Sequence, residues 1–264
     1  MIVEVHDVDD LRLEPYRHVG DHRWLREHGL FVAEGRLVLQ RLAAAPSYRA
    51  HSVLLSHTAL AAVEESLRGL GSPIYVAPQA LLNGIAGVKF HRGCLALVDR
   101  PAPLEPAMLH GARLLLGLEG VGNPDNVGGL FRTAAAFGVD GVLLDQATGD
   151  PLYRKAIRTS MGAVLQMLFV RVGAWPAIIA GLRSDGIRVV ALMPHASATA
   201  LDEYAVRTNP NDRVLLMVGA EGSGLSPGVA EIADARVRIP MAAGVDSLNV
   251  TVAAGVALSR LAGR

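Results

Sequence analysis

Six apolar runs in the second half of the chain limit its fold more than any other feature: "RLLLGLEG", "GVLLD", "QMLFVRV", "IRVVALM", "RVLLMVGAEG" and "RVRIPM". Each has strand length, and helical stretches separate them. A strand exposed on one face alternates polar and apolar residues. One that reads as unbroken Val, Leu and Ile is covered on both faces, as in a parallel sheet sandwiched by its crossover helices. Residues 113–264 therefore predict a doubly covered parallel α/β domain. The first hundred residues alternate short strands ("GLFVAE", "HSVLLS", "PIYVAP", "GCLALVDR") with helical stretches and predict a smaller α/β domain over residues 1–100. Between the two, "PAPLEPAMLHGA", residues 101–112, carries three prolines without strong periodicity and predicts a linker.

At 264 residues, 51% of them hydrophobic, the chain can bury the cores of two domains. No run reaches the roughly 18 apolar residues of a membrane span, and the start "MIVEVHDVDDLRLEPYRH" is too acidic and polar for a signal peptide. A cytoplasmic protein is expected. The single Cys94 excludes an intrachain disulfide, and nine scattered histidines show no zinc-ligand spacing, so no metal is expected. The formal net charge is zero, so a nucleic acid would have to be met by a local patch. Between Arg12 and Arg49 seven arginines stand against four acids, with His18, His22 and His28 among them, which offers a basic face for structured RNA.

Parallel sheets bind ligands in the loops beyond the carboxyl ends of their strands. Three such loops are unusually polar or glycine-rich. In "LEGVGNPDNVGGLFRTAAAFG", residues 118–138, Asn123 to Asn126 break the strand, and Asn126 suits the cap of the next helix. Gly128 and Gly129 lie one turn before Arg132, with Ala135 and Ala136 beyond it, so Arg132 projects from a face free of bulk and open to a large ligand. In "VGAEGSGLSP", residues 218–227, glycines free the backbone around Glu221, and Ser226-Pro227 reads as a helix cap followed by a first-turn proline. In "RIPMAAGVDSLNVTVAAGVALSRL", residues 238–261, a strand ends at Pro240 and Ser247 opens a helix with Asn249 in its first turn. Asp125 stands where a dinucleotide fingerprint needs its last glycine, and no phosphate-loop "GK[ST]" occurs. Residues 224–228 match the hydrolase pattern G-x-S-x-G, but that fold places its histidine after the serine, and the last histidine here is His195.

Taken in order and spacing, "NPDNVGGLFRTAAAFG", "VGAEGSGLS" and "IPMAAGVDSLNVTVAAGVAL" resemble the three motifs of the SpoU (TrmH-like) family of RNA ribose 2′-O-methyltransferases, part of the SPOUT superfamily. More loosely, "GLFVAEGRLVL" and "GCLALVD" resemble the ends of the L30e-like RNA-binding domain that precedes the catalytic domain in many members. The resemblance implies a trefoil-knotted α/β domain over residues 113–264 that binds S-adenosylmethionine at Gly219, Ile239 and Leu248, with Met193 at the end of its strand. Arg132 matches the catalytic arginine, and Asn126, Glu221, Ser247 and Asn249 match the polar positions that orient it and the ribose. Ala220 and Thr251 depart from common family residues without removing a polar motif group. An RNA partner is implied, ribosomal RNA ahead of transfer RNA. So is a homodimer paired through the C-terminal domain, for which Val250, Ala253, Ala254 and Ala257 recur at helical spacing. The alternative is an RNA-binding member without methyltransferase activity, against which the full set of motif residues speaks.

Overall fold

The computed structural model describes residues 1–86, 93–209 and 211–262. The chain divides into two compact units, Met1–Ala102 with Pro151–Gln166, and Pro103–Asp150 with Met167–Arg264.

The first unit holds β1 (Ile2–Glu4), α1 (His22–Glu27), β2 (Leu30–Glu34), α2 (Arg36–Ala43), β3 (Ala50–Leu55), α3 (His57–Leu67), β4 (Ile74–Val76), α4 (Gln79–Ala86) and β5 (Cys94–Asp99). Its sheet runs β1-β4-β3-β5-β2, parallel from β1 to β3 and antiparallel on both sides of β5. Leu13, Tyr16, Val32, Leu54, Leu95 and Leu97 belong to its core. Tyr16 is fully buried and shares a 2.8 Å hydrogen bond with Ser52, and burial pushes its hydroxyl pKa well above the usual phenol range. Four of the seven arginines expected to form a basic face between Arg12 and Arg49 are ion-paired. Arg12 pairs with Asp10, Arg17 with Asp9, Arg23 with Glu27 and Arg49 with Asp99. Three of those acids lie outside the counted window, and folding brings them in.

In the second unit each of the six apolar runs contains a strand. The elements are β6 (Leu114–Glu119), α5 (Pro124–Ala136) and β7 (Gly141–Leu144), then, past the segment counted with the first unit and its α6 (Arg154–Thr159), β8 (Phe169–Arg171), α7 (Trp175–Ser184), β9 (Arg188–Leu192), β10 (Thr199–Ala200), α8 (Leu201–Arg207), β11 (Val214–Gly219), α9 (Pro227–Ile232), β12 (Ala235–Arg238) and α10 (Val250–Leu261). The sheet order is β10-β12-β9-β11-β6-β7-β8, and every pair is parallel. The inner strands β6, β9 and β11 are buried along nearly their whole length, as unbroken apolar runs require. Because all strands point the same way, the carboxyl ends of β6, β9, β11 and β12 share one edge of the sheet. Two-residue β10 is too short for any hydrophobic pattern to reveal.

Two boundaries differ from the sequence expectation. Most of the proline-rich stretch is not a free linker. A short 3₁₀ helix at Pro106–Leu109 leads into Leu109 and Ala112, which are buried in the core with Trp175 and Ile179. Arg213 donates to the carbonyls of His110 at 2.6 Å and Ala112 at 3.0 Å. Only residues 101–105 form an exposed connection. The second difference is residues 151–166, which fall inside the 113–264 span yet pack with the first unit. Arg154 donates to the Glu34 carboxylate at 3.0 Å, and Arg41 donates to the Met161 carbonyl at 3.0 Å.

Candidate active site

After β6 the chain turns at Gly120, in the left-handed region at φ +68°, and enters α5. The cap is Asn123, whose side chain accepts from the Asp125 amide at 2.9 Å with Pro124 in the first turn, so the cap expected at Asn126 stands three residues earlier. Asn126 is instead inside the helix and buried. Its Oδ1 accepts from Asn249 Nδ2 at 2.9 Å. The same Nδ2 donates to Glu221 Oε1 at 3.0 Å, while Asn249 Oδ1 accepts from the Thr251 amide at 2.9 Å. Asn249 is thus the N-cap of α10, and Ser247, expected to open that helix, sits two residues before it in an exposed loop. Asparagine outcompetes serine here because its amide donates in two directions while its carbonyl caps.

Asn249 joins three segments far apart in sequence, and a glycine–threonine contact locks two of them. A Cβ at Gly129 would lie 2.8 Å from Thr251 Oγ1 and 2.9 Å from its Cγ2, and one at Gly255 would lie 3.5 Å from Thr133 Cγ2. The backbones of α5 and α10 approach closely because each presents a glycine to the other's threonine. The bare face beside Arg132 is therefore filled at Gly129 by the chain's own Thr251, not left open for a ligand. Most of the small-residue stripe expected at a dimer surface is likewise internal, with Val250, Ala254 and Ala257 buried within the chain, whereas Ala253 is half-buried and lines the cleft described below.

The glycine-rich turn after β11 folds back on itself. Gly224 donates to the Ala220 carbonyl at 2.9 Å, with Gly222 and Gly224 at φ +91° and +67°. A side chain at Gly219 would overlap the Gly224 backbone. Ser226 caps α9, accepting from the Val229 amide at 3.4 Å. Its own amide and hydroxyl donate to Glu119 at 2.8 and 2.7 Å. The serine of the hydrolase-like pattern is thus a tethered cap. Glu119, passed over in the sequence, is the last residue of β6 and holds the β11 turn to the edge of the sheet.

These loops enclose a cleft of about 630 Å³ lined by Met193, Gly219, Glu221, Ile239, Ser247, Leu248 and Asn249. Sequence reasoning missed Leu192, Pro194, Met241 and Asp246 in the same wall; their only signal is position beside the named residues. The backbone amides of Ser247 and Leu248 have no hydrogen-bond partner among the described residues. Asn126 reaches the cleft through Asn249. Arg132 does not line it: six residues further along α5, about 9 Å of helix rise from Asn126, it is exposed and makes no hydrogen bond or ion pair among the described residues. Among those residues no group of His, Cys, Asp and Glu could hold a metal ion, and no helix is long and apolar enough to cross a membrane.

Chains of the same build are known. A tRNA/rRNA methyltransferase of Mycobacterium tuberculosis, itself uncharacterized, is 39% identical over 261 residues, spanning 97% of this chain and 90% of the relative. An AdoMet-bound rRNA methyltransferase from Sinorhizobium meliloti superposes with a TM-score of 0.81 at 24% identity, covering 98% of this chain and 97% of that one. An RNA 2′-O ribose methyltransferase superposes with a TM-score of 0.76 at 23% identity, covering 99% and 98%. The SpoU rRNA methylase family model matches residues 113–259, a span that takes in all three loops around the cleft. On that match and the near full-length relative, the chain belongs to the SpoU rRNA methylase family.

Proposed function

We propose that this chain transfers a methyl group to a ribose 2′-hydroxyl of structured RNA, ribosomal RNA ahead of transfer RNA, with S-adenosylmethionine as donor. The observation that carries the reading is the Asn126–Asn249–Glu221 chain of hydrogen bonds at the rim of the cleft. It holds three motif residues in one arrangement beside apolar walls. The cleft suits such a donor: Met193, Ile239 and Leu248 offer an apolar enclosure for a purine, Gly219 shapes the floor, and the free amides of Ser247 and Leu248 can meet ring nitrogens. When bound, S-adenosylmethionine supplies an electrophilic methyl group on a positively charged sulfur.

Arg132 holds an RNA phosphate in its planar fork and sets the neighbouring hydroxyl in line. A guanidinium, with a pKa above about 12, does not take that hydroxyl's proton, which leaves to a phosphate oxygen or to water. Asn126, Glu221, Ser247 and Asn249 orient the ribose and form no covalent bond. The reading extends to the fold. The C-terminal path is trefoil-knotted, supported by the entry of β11 between the earlier strands β6 and β9 and by the return of α10 to α5. The first unit is an L30e-like RNA-binding domain. Two copies pair through the C-terminal domain in the cytoplasm, with exposed Val252 and Val256 of α10 in place of the buried stripe.

The test is transfer of radiolabelled methyl from S-adenosylmethionine to bulk RNA, followed by mapping of alkali-resistant linkages. Label at a ribose of ribosomal RNA is the expected result. RNA binding without transfer identifies a non-catalytic member, and calorimetry showing no S-adenosylmethionine binding overturns the reading. Leu248 is part-exposed in the open cleft, so Leu248→Asp is expected to leave the fold intact and to abolish donor binding, because a purine seated there would strip water from an unpaired carboxylate at a cost of several kcal/mol.

A further inference from the structure

A second cleft, of about 530 Å³, lies within the first unit, between α1 and β2 on one side and the segment 151–166 on the other. None of the motif residues contributes to it. Four observations describe its chemistry. The rings of His22 and Tyr153 stack at 4.7 Å between centroids and 22° between planes, both half-buried and both in the wall. Glu34 is 6% exposed and lines the cleft. Its Oε2 accepts from Arg154 at 3.0 Å, whereas its Oε1 has no partner among the described residues. At the mouth stand Lys155 and Arg158, both exposed, and Arg158 forms no side-chain hydrogen bond or ion pair among the described residues.

A stacked aromatic pair, a buried carboxylate with an open acceptor, and cations at the rim together match one ligand chemistry. The ring pair takes the flat face of a base, the carboxylate oxygen accepts from an amino or imino group on its edge, and the cations meet the phosphates on either side. A phosphate alone would use the cations but neither the ring pair nor the open oxygen of Glu34, and an apolar ligand would leave both the carboxylate and the cations without purpose. We propose that this cleft takes an unpaired nucleotide of the RNA substrate, distinct from the nucleotide that is methylated, with its base on the His22–Tyr153 stack and a donor edge on Glu34. The inference rests on the RNA reading above and deepens it, because it assigns recognition to a site that the family motifs do not include.

The experiment uses the full chain and a methylatable structured RNA, comparing wild type with Tyr153→Leu, Tyr153→Phe and Arg158→Ala. Loss of one stacked base typically costs about tenfold in affinity. Tyr153→Leu is expected to raise KM for RNA about tenfold with kcat and S-adenosylmethionine affinity unchanged, and Tyr153→Phe, which keeps the ring, is expected to stay within about threefold of wild type. Arg158→Ala is expected to lower the slope of log Kd against log salt by about 0.7 to 0.9, the share of one phosphate contact. A 4-thiouridine-substituted RNA should crosslink to a peptide containing Tyr153. An unchanged KM in Tyr153→Leu, or an equal loss in Tyr153→Phe, overturns the cleft while leaving methylation intact. Failure of the wild type to methylate any RNA overturns instead the reading beneath it.

Discussion

The two ends of α5 answer to different demands. At its start Asn126 is buried and bonded to Asn249, and Gly129 is pressed against Thr251, so that half of the helix is committed to α10. Six residues on from Asn126, Arg132 is exposed and engages no polar partner among the described residues. Both ends pack on α10, since Thr133 meets Gly255 beside Arg132, yet of the two motif side chains only Asn126 is part of the scaffold. A long flexible cation without a partner adds little to folding, and its side-chain entropy is retained. The difference teaches that the motif contains two kinds of residue, those bonded into the junction of α5 and α10 and those that the fold leaves exposed.

The sharpest break between the two ends comes from Arg132. Arg132→Ala and Arg132→Lys should leave stability within about 0.5 kcal/mol of wild type, as exposed substitutions without partners do. The methylation rate should fall by about 10²-fold to 10³-fold, the usual cost of one well-placed transition-state interaction. Lysine keeps the charge but not the planar fork, so it should rescue little. Single-turnover methylation at saturating donor and RNA is the measurement; rates within threefold of wild type would remove Arg132 from the chemistry.

At the other end the effect should appear in stability. Gly129→Ala places a methyl group against the stiff, β-branched Thr251, and overpacking of this kind costs about 1–3 kcal/mol. In a Thr251→Ala background the clashing Oγ1 and Cγ2 are gone, leaving ordinary contact at 3.4 Å. There the same change should stabilise by up to about 1 kcal/mol, because alanine is the better helix former. Denaturant melts of the four proteins read the reversal of sign. If Gly129→Ala is harmful in both backgrounds, the glycine serves something other than this packing.

The strands of the second unit were legible because an unbroken apolar run has few alternatives: β6, β9 and β11 follow the text of the sequence closely. What escaped was chosen by tertiary geometry among locally equivalent residues. Asn123 and Asn126 are alike as capping side chains; Pro124 after Asn123 is a local cue that favours the former, and the Asn249 amide engages the latter. Ser247 and Asn249 differ in the same way. Gly129 signals close approach, but the sequence could not say that the approaching body was Thr251 of its own chain. Counting arginines in a window missed Asp9, Asp10 and Asp99, which pair with three of them. Residues 151–166 gave no sign of packing with the first unit, since Glu34 and Arg154 stand 120 residues apart.

Asn249 tests whether the committed end of α5 is held by the cap or by the bridge. Asn249→Ala removes the cap on Thr251 and strands the buried Oδ1 of Asn126, and should cost about 1–2 kcal/mol. Asn249→Ser keeps a capping oxygen but cannot span Asn126 and Glu221. It should recover about 1 kcal/mol of that stability while methylating as poorly as the alanine variant. Equal stability of the two variants would show that the bridge, and not the cap, carries the energy.

The smallest effect expected lies at Ser247, which resembles Arg132 more than its neighbour Asn249. It is exposed, lines the cleft and has no hydrogen-bond partner among the described residues. Removing its hydroxyl therefore breaks nothing in the folded chain, and Ser247→Ala should melt within about 0.5 kcal/mol of wild type. Had it been the cap of α10, the loss would be about 1 kcal/mol. If its hydroxyl meets donor or ribose, losing one net hydrogen bond of about 0.5–1.5 kcal/mol slows methylation by about twofold to tenfold. Paired melts and single-turnover rates separate the cases. A stability loss near 1 kcal/mol would restore the capping role, and an unchanged rate would leave the orienting work to Asn126, Glu221 and Asn249 alone.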